Sequence, residues 1–150
     1  MPSEIRGSSN FDSDSAGKVL QVVEGFTSDG TYINSTSPVA TALTASITPT
    51  STSNKVLVMV SASVGADDDD ENYITASLFR NGTNIRSSTV LRDSSGGPEE
   101  GNVTLNKLDS PNTTSAVTYT MYGHADIASL DFRPNYRGTN SSIILMEIGA

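Results

Sequence analysis

Ser142-Ile-Ile-Leu-Met-Glu-Ile148, followed only by Gly149 and Ala150, reads as a β-strand with apolar side chains on both faces. A strand that alternates polar and apolar residues needs one core. This one sets Ile144, Met146 and Ile148 on one side and Ile143 and Leu145 on the other, so it must be covered twice. A second stretch repeats the pattern, with Val56, Val58 and Val60 pointing one way and Leu57 and Met59 the other. A sandwich formed by the chain itself covers one face of each strand. The second face is left for another sheet layer, another subunit or a larger assembly, so the pattern predicts an oligomer.

Outward from these two strands the signals are short and closely spaced. Strands are predicted near Lys18–Val23, Thr31–Asn34, Ala42–Thr48, Lys55–Val64, Tyr73–Arg80, Ile85–Leu91, Asn102–Leu108, Ala116–Gly123 and Ser142–Ile148. Between them lie turn clusters such as Thr48-Pro-Thr-Ser-Thr-Ser-Asn54, Ser94-Ser-Gly-Gly-Pro98 and Asp109-Ser-Pro-Asn-Thr-Thr114. Asn81-Gly82 is a hairpin signal of the type I′ kind. No segment sustains a period of 3.6 residues, so almost no helix is expected. The spacing argues for an all-β, antiparallel jelly-roll sandwich ahead of an immunoglobulin-like one, and the lack of an internal repeat argues against propellers and β-helices.

Composition narrows the function. The chain has 150 residues, 15.7 kDa, no Cys and no Trp, which removes disulfides, thiolate metal sites and a cysteine nucleophile. Its net charge of −8 opposes binding to nucleic acid or to anionic bilayers, because both need clustered Lys and Arg. Ser and Thr make up about a quarter of the residues, a composition of strands and turns. No apolar run is long enough for a membrane span, and Met1-Pro-Ser-Glu-Ile-Arg6 lacks the hydrophobic segment of a signal peptide. Residues 1–16 read as a polar arm preceding a domain at 17–150, with Ile5 and Phe11 as the arm's anchors on another surface.

The chemically loaded residues are few. Asp67-Asp-Asp-Asp-Glu71 offers carboxylate oxygens suited to Ca²⁺, but it lacks the alternating ligands of an EF-hand and reads as a solvated loop, so no metal or cofactor is assigned. His124, near Asp126, is the single histidine, and no nucleophile elbow or zinc motif accompanies it. Glu99 and Glu100 are adjacent in a loop instead of facing across a cleft. Most of Tyr73, Phe79, Tyr119, Tyr122 and Phe132 are expected in the core. Tyr136, flanked by Arg133 and Arg137, is the aromatic expected to contact a partner. The Asn-x-Ser/Thr matches at Asn34, Asn81, Asn102, Asn112 and Asn140 follow from composition.

Four segments, in this order, resemble a domain of tailed-bacteriophage structural proteins: Gly17-Lys-Val-Leu-Gln-Val-Val23, Ser46-Ile-Thr-Pro-Thr-Ser-Thr-Ser-Asn-Lys-Val-Leu-Val58, Leu108-Asp-Ser-Pro-Asn-Thr-Thr-Ser-Ala-Val-Thr-Tyr119 and Ser141-Ser-Ile-Ile-Leu-Met-Glu-Ile148. Such domains are similar to the trimeric jelly roll of the complement and tumour-necrosis-factor superfamily. The resemblance implies a homotrimer whose inner sheets meet on a threefold axis, and it supplies no catalytic or ligand residue. On that basis the trimer interface is expected to use Leu57, Met59, Ile143 and Leu145, with the face that meets the axis left open. The implied function is a non-enzymatic virion protein made in a bacterial cytoplasm and displayed on the particle surface. Its N-terminal arm is expected to hold the major capsid protein or a tail component, as capsid decoration, cement or head fibre. The alternatives are a tail-fibre or tail-tip adhesin for host glycans, and a secreted jelly-roll hydrolase or lectin.

Overall fold

In the computed structural model, residues 16–66, 72–91 and 99–150 are described. The expected arm with Ile5 and Phe11, and the acidic loop Asp67–Glu71, lie outside them. The strands are β1 (Val19–Thr27), β2 (Val39–Ile47), β3 (Lys55–Ala66), β4 (Tyr73–Arg80), β5 (Thr83–Leu91), β6 (Glu99–Asp109), β7 (Val117–Ala125), β8 (Arg133–Pro134) and β9 (Ser141–Ile148). A short 3-10 turn, Tyr136–Gly138, joins β8 to β9.

The strands form two antiparallel sheets. The first has the order β1-β9-β3-β6, with β8 paired to β3 beyond the end of β9, and the second has the order β2-β7-β4-β5. Between successive strands the chain changes sheet at every step except the β4–β5 hairpin and the β8–β9 connection, which is jelly-roll connectivity. The hairpin turns on Asn81 (φ 46°) and Gly82 (φ 83°), the left-handed pair that a type I′ turn requires. The all-β sandwich expected from the sequence is the fold observed.

Alternation builds the core. In β3 the side chains of Val56, Val58, Val60, Ala62 and Val64 are buried, and in β7 those of Val117, Tyr119, Met121 and Ala125. Leu43, Leu78, Leu105, Leu130, Phe132, Ile143 and Leu145 complete the interior between the sheets. A polar clamp ties the sheets at one end. Arg80 at the end of β4 donates to both carboxylate oxygens of Asp109 at the end of β6 (3.0 and 2.9 Å), and the Tyr119 hydroxyl donates to Asp109 at 2.7 Å. Burial, then the bond to Asp109, drives the Tyr119 hydroxyl well above its usual range, so it remains a donor.

Two expected elements differ. Thr31–Asn34 is not a strand and pairs only through the bridge between Ile33 and Phe132. Side chains take the local backbone donors instead: Asp29 accepts from the Thr31 N–H, and the Ser35 hydroxyl accepts from the Ser37 N–H. The following strand begins earlier than predicted, at Val39, because a pairing irregularity between Ala40 and Thr44 hides its alternation.

Gly123 on β7 is where the end of the sandwich closes, since a Cβ there would lie 2.3 Å from the Phe132 ring. Gly123→Ala is expected to cost about 1–3 kcal/mol and to lower Tm by roughly 3–10 °C. Thermal unfolding measures it, and an unchanged Tm would show that Phe132 moves aside freely.

Candidate functional site

The outward face of the first sheet carries a run of exposed and half-buried apolar side chains. Cross-strand register sets Val22, Met146, Leu57 and Leu108 side by side across β1, β9, β3 and β6. The next row reads Glu24, Ile144, Met59 and Asn106, and on the other side of the apolar row Val19, Ile148 and Lys55 align. Val22 is 58% exposed and Leu108 50% exposed, values far from those of core residues. Met59, Ser61, Thr104, Asn106, Ser142 and Ile144 line a shallow depression of about 350 Å³ on this face.

Of the four expected interface residues, Leu57 and Met59 lie on this outward face and are partly exposed. Ile143 and Leu145 do not: both are fully buried between the sheets, which corrects their assignment to the interface. Their places on the surface are taken by Ile144 and Met146.

What turns β9 this way round is Glu147. It shares the inward face with Ile143 and Leu145 and is completely buried. Its carboxylate accepts from the Gln21 amide (2.6 Å), the Asn54 amide (2.6 Å), the Thr50 N–H (2.7 Å) and the Thr50 hydroxyl (2.8 Å). Asn54 in turn accepts from the N–H of Ala150 at 3.1 Å. Burial pushes the Glu147 carboxyl up, but the bonds from Asn54, Gln21 and Thr50 outweigh it and hold the group at about 2.

A second cluster sits at the loop end of the sandwich. Arg133 lies over the Tyr32 ring at 4.3 Å and is 5.9 Å from the Tyr136 ring, with Asp131 3.7 Å from its guanidinium. The Tyr136 ring covers the backbone of Gly65, where a Cβ would be 2.6 Å from it. Arg137 stands over Tyr136 at 5.4 Å, in an ion pair with Glu100 at 3.5 Å. Arg133, Tyr136 and Arg137 are thus brought together as expected, but Arg133 and Tyr136 are largely engaged in packing. Tyr32, 55% exposed, is the member that sequence reasoning missed.

The outward face of the second sheet is hydroxylated. Thr44 pairs with Thr120 and Ser46 with Thr118 at the surface, while Thr75 pairs with Thr89 and Ser77 with Ser87 where Thr75 and Ser77 are buried, all at 2.7–3.3 Å. Phe79 and Tyr122 stack in its midst with centroids 3.9 Å apart, and Tyr73 is 42% exposed. Among the aromatics expected in the core, Tyr119 and Phe132 are buried there, whereas Tyr73, Phe79 and Tyr122 occupy outward positions of β4 and β7. His124 shares that face, opposite Thr75. Among the described residues there is no group of three or more His, Asp or Glu able to hold a metal ion, and no helix long and apolar enough to cross a membrane.

No protein-family profile matches the chain, and no curated protein sequence does. Among solved structures, the crystal structure of dimeric latent PorU from Porphyromonas gingivalis is similar over 91% of this chain, with a TM-score of 0.51 and 11% identity. The match covers 14% of the PorU chain, and at that identity it is a likeness of fold alone.

Glu147 makes stability depend on acid. Its carboxyl is depressed in the folded state, so the stabilisation is complete above the usual carboxylate range and is lost as pH falls toward about 2. The contribution at neutral pH is about 3 kcal/mol. Glu147→Gln is expected to lower stability at pH 7 by about that amount and to flatten its pH dependence between roughly pH 4.5 and 2. Urea unfolding across that range measures it, and an unaltered pH slope in the variant would remove Glu147 as its source.

Proposed function

We propose that this chain is a non-enzymatic structural protein of a tailed-phage virion, a homotrimeric knob that decorates or cements the capsid and is attached through its N-terminal arm. The observation that carries the assembly is the unpartnered apolar face built by Val22, Leu57, Leu108, Ile144 and Met146. Water-exposed apolar rows across a whole sheet are unfavourable, and burying each such side chain contributes about 1.5–3 kcal/mol. Closed symmetry repeats that gain in every copy. Glu24 and Lys55 on the same face carry opposite charges suited to pairing between copies. The resemblance of the four segments to virion domains supports the particle, and the strand order agrees with the jelly roll that the resemblance implies.

The exposed Tyr32 with the Arg133 guanidinium over its ring favours a second reading, a tail-fibre or tail-tip adhesin. Quantitative mass spectrometry of purified particles separates the two by copy number. Decoration gives hundreds of copies, a fibre gives few, and absence from particles would overturn both.

Sedimentation tests the assembly. The wild-type protein is expected at three times the chain mass of 15.7 kDa. Leu57→Asp or Met59→Asp is expected to give folded monomers, whereas Leu145→Asp, which buries a charge in the core, is expected to give unfolded or insoluble protein. A monomeric wild type at micromolar concentration would sink the trimer.

A further inference from the structure

Between β1 and β2 the chain crosses the end of the sandwich, and a groove of about 360 Å³ opens between this loop and the first half of β2. Asp29, Thr31, Tyr32, Asn34, Ser35 and Thr41 bring its polar and aromatic chemistry. Asp29 is the one charged residue of the lining, and Gly30 through Asn54 contain no Lys, Arg, Asp or Glu at all. The groove is therefore polar with a single carboxylate.

Its walls are fixed in advance. Asp29 Oδ1 accepts from the Thr31 N–H (3.0 Å) and hydroxyl (2.7 Å), bonds that keep the carboxyl below its usual range and therefore an acceptor. Those bonds use only one of its two oxygens. The Asn34 amide nitrogen donates to Asp131 at 2.9 Å, which orients the side chain and leaves its carbonyl oxygen as an acceptor. Asp131 also holds Arg133, whose guanidinium lies over the Tyr32 ring. Tyr32 lines the groove and Arg133 does not, so the ring that carries the cation also supplies the groove's aromatic wall.

Three alternative classes of ligand meet an obstacle. An anion faces the Asp29 carboxylate and a chain of net charge −8. A metal ion finds one carboxylate where hard cations take several oxygen ligands. A purely apolar ligand would strip water from Asp29, Asn34 and the hydroxyls without replacing their hydrogen bonds. An uncharged molecule with a C–H face for the ring and hydroxyl donors for the acceptors meets none of these.

We propose that the groove binds a neutral saccharide, with one pyranose ring stacked on Tyr32 and its hydroxyl groups donating to Asp29 and to the Asn34 carbonyl. The groove shares no residue with the apolar face of the first sheet, so this inference stands apart from the trimer. A monomer that binds sugar and a trimer that does not are both recognisable results.

The test is amide chemical-shift mapping of the isotope-labelled full chain titrated with maltose, cellobiose, lactose and N,N′-diacetylchitobiose at millimolar concentration. At least one disaccharide is expected to shift resonances in residues 29–42 and 131–134. Tyr32→Ala is expected to weaken that binding about tenfold or more, Tyr32→Trp to retain it, and Asp29→Asn to weaken it. No response in residues 29–42 to any of the four, or a response unchanged in Tyr32→Ala, overturns the proposal. Competition by the bound disaccharide against immobilised bacterial surface polysaccharide then assigns the source: displacement identifies a cell-surface glycan, and its absence a free sugar.

Discussion

Everything else in this fold depends on β9 being paired on both edges while its two faces meet different surroundings. It is hydrogen-bonded to β1 on one side and β3 on the other. A slip of one residue would expose Ile143, Leu145 and Glu147 and turn Ile144, Met146 and Ile148 inward. Apolar side chains alone discriminate weakly between these registers, because either face fills a core. The buried carboxylate discriminates strongly. An unpaired buried charge costs several kcal/mol, and Glu147 escapes that cost only where Gln21, Thr50 and Asn54 surround it with donors. A single polar residue in an apolar strand thus decides which hydrophobic set becomes core and which becomes surface.

The consequence is a sandwich whose two outer faces differ in chemistry. The first sheet turns a row of Val, Met and Leu side chains outward, and the second turns out the exposed hydroxyl pairs Thr44–Thr120 and Ser46–Thr118. Cross-strand hydroxyl pairs of this kind each contribute about 0.2–1 kcal/mol and leave the surface wettable. A hydroxylated face is stable against water without a partner, and an apolar one gains from being covered. The asymmetry therefore separates two surfaces: the first sheet is the one that gains from being covered, and the second is the one that tolerates water.

Much of this was legible in the sequence, and the gaps have physical causes. Alternation in Lys55–Val60 and Ile143–Ile148 revealed strands with two apolar faces, and Asn81-Gly82 revealed the hairpin. The choice of face was not legible, because the donors that decide it lie 126, 97 and 93 residues from Glu147 along the chain. The aromatics misled for a related reason: Phe79 and Tyr122 are strand residues as apolar as those of the core, but their parity in β4 and β7 points them out, where they cover each other. Tyr32 carried no local signal, since its partner Arg133 meets it only after the chain has closed both sheets.

That meeting is itself a product of the strands. Phe132 and Tyr136 flank Arg133 in sequence, and each ring lies on a glycine of a different sheet, Phe132 on Gly123 of β7 and Tyr136 on Gly65 of β3. Both contacts are closer than any Cβ would allow, so the segment 132–136 is seated directly on backbone from the two sheets. Asn135, in the left-handed region at φ 50°, secures it further by donating its N–H to Ser63 and its amide to the carbonyl of Asp29. The last bond joins the segment to the loop that carries Tyr32. Loops are ordinarily the mobile part of a sandwich. Here the loop end inherits the rigidity of both sheets, which is the condition under which a few exposed polar and aromatic groups hold one fixed arrangement for a partner to recognise.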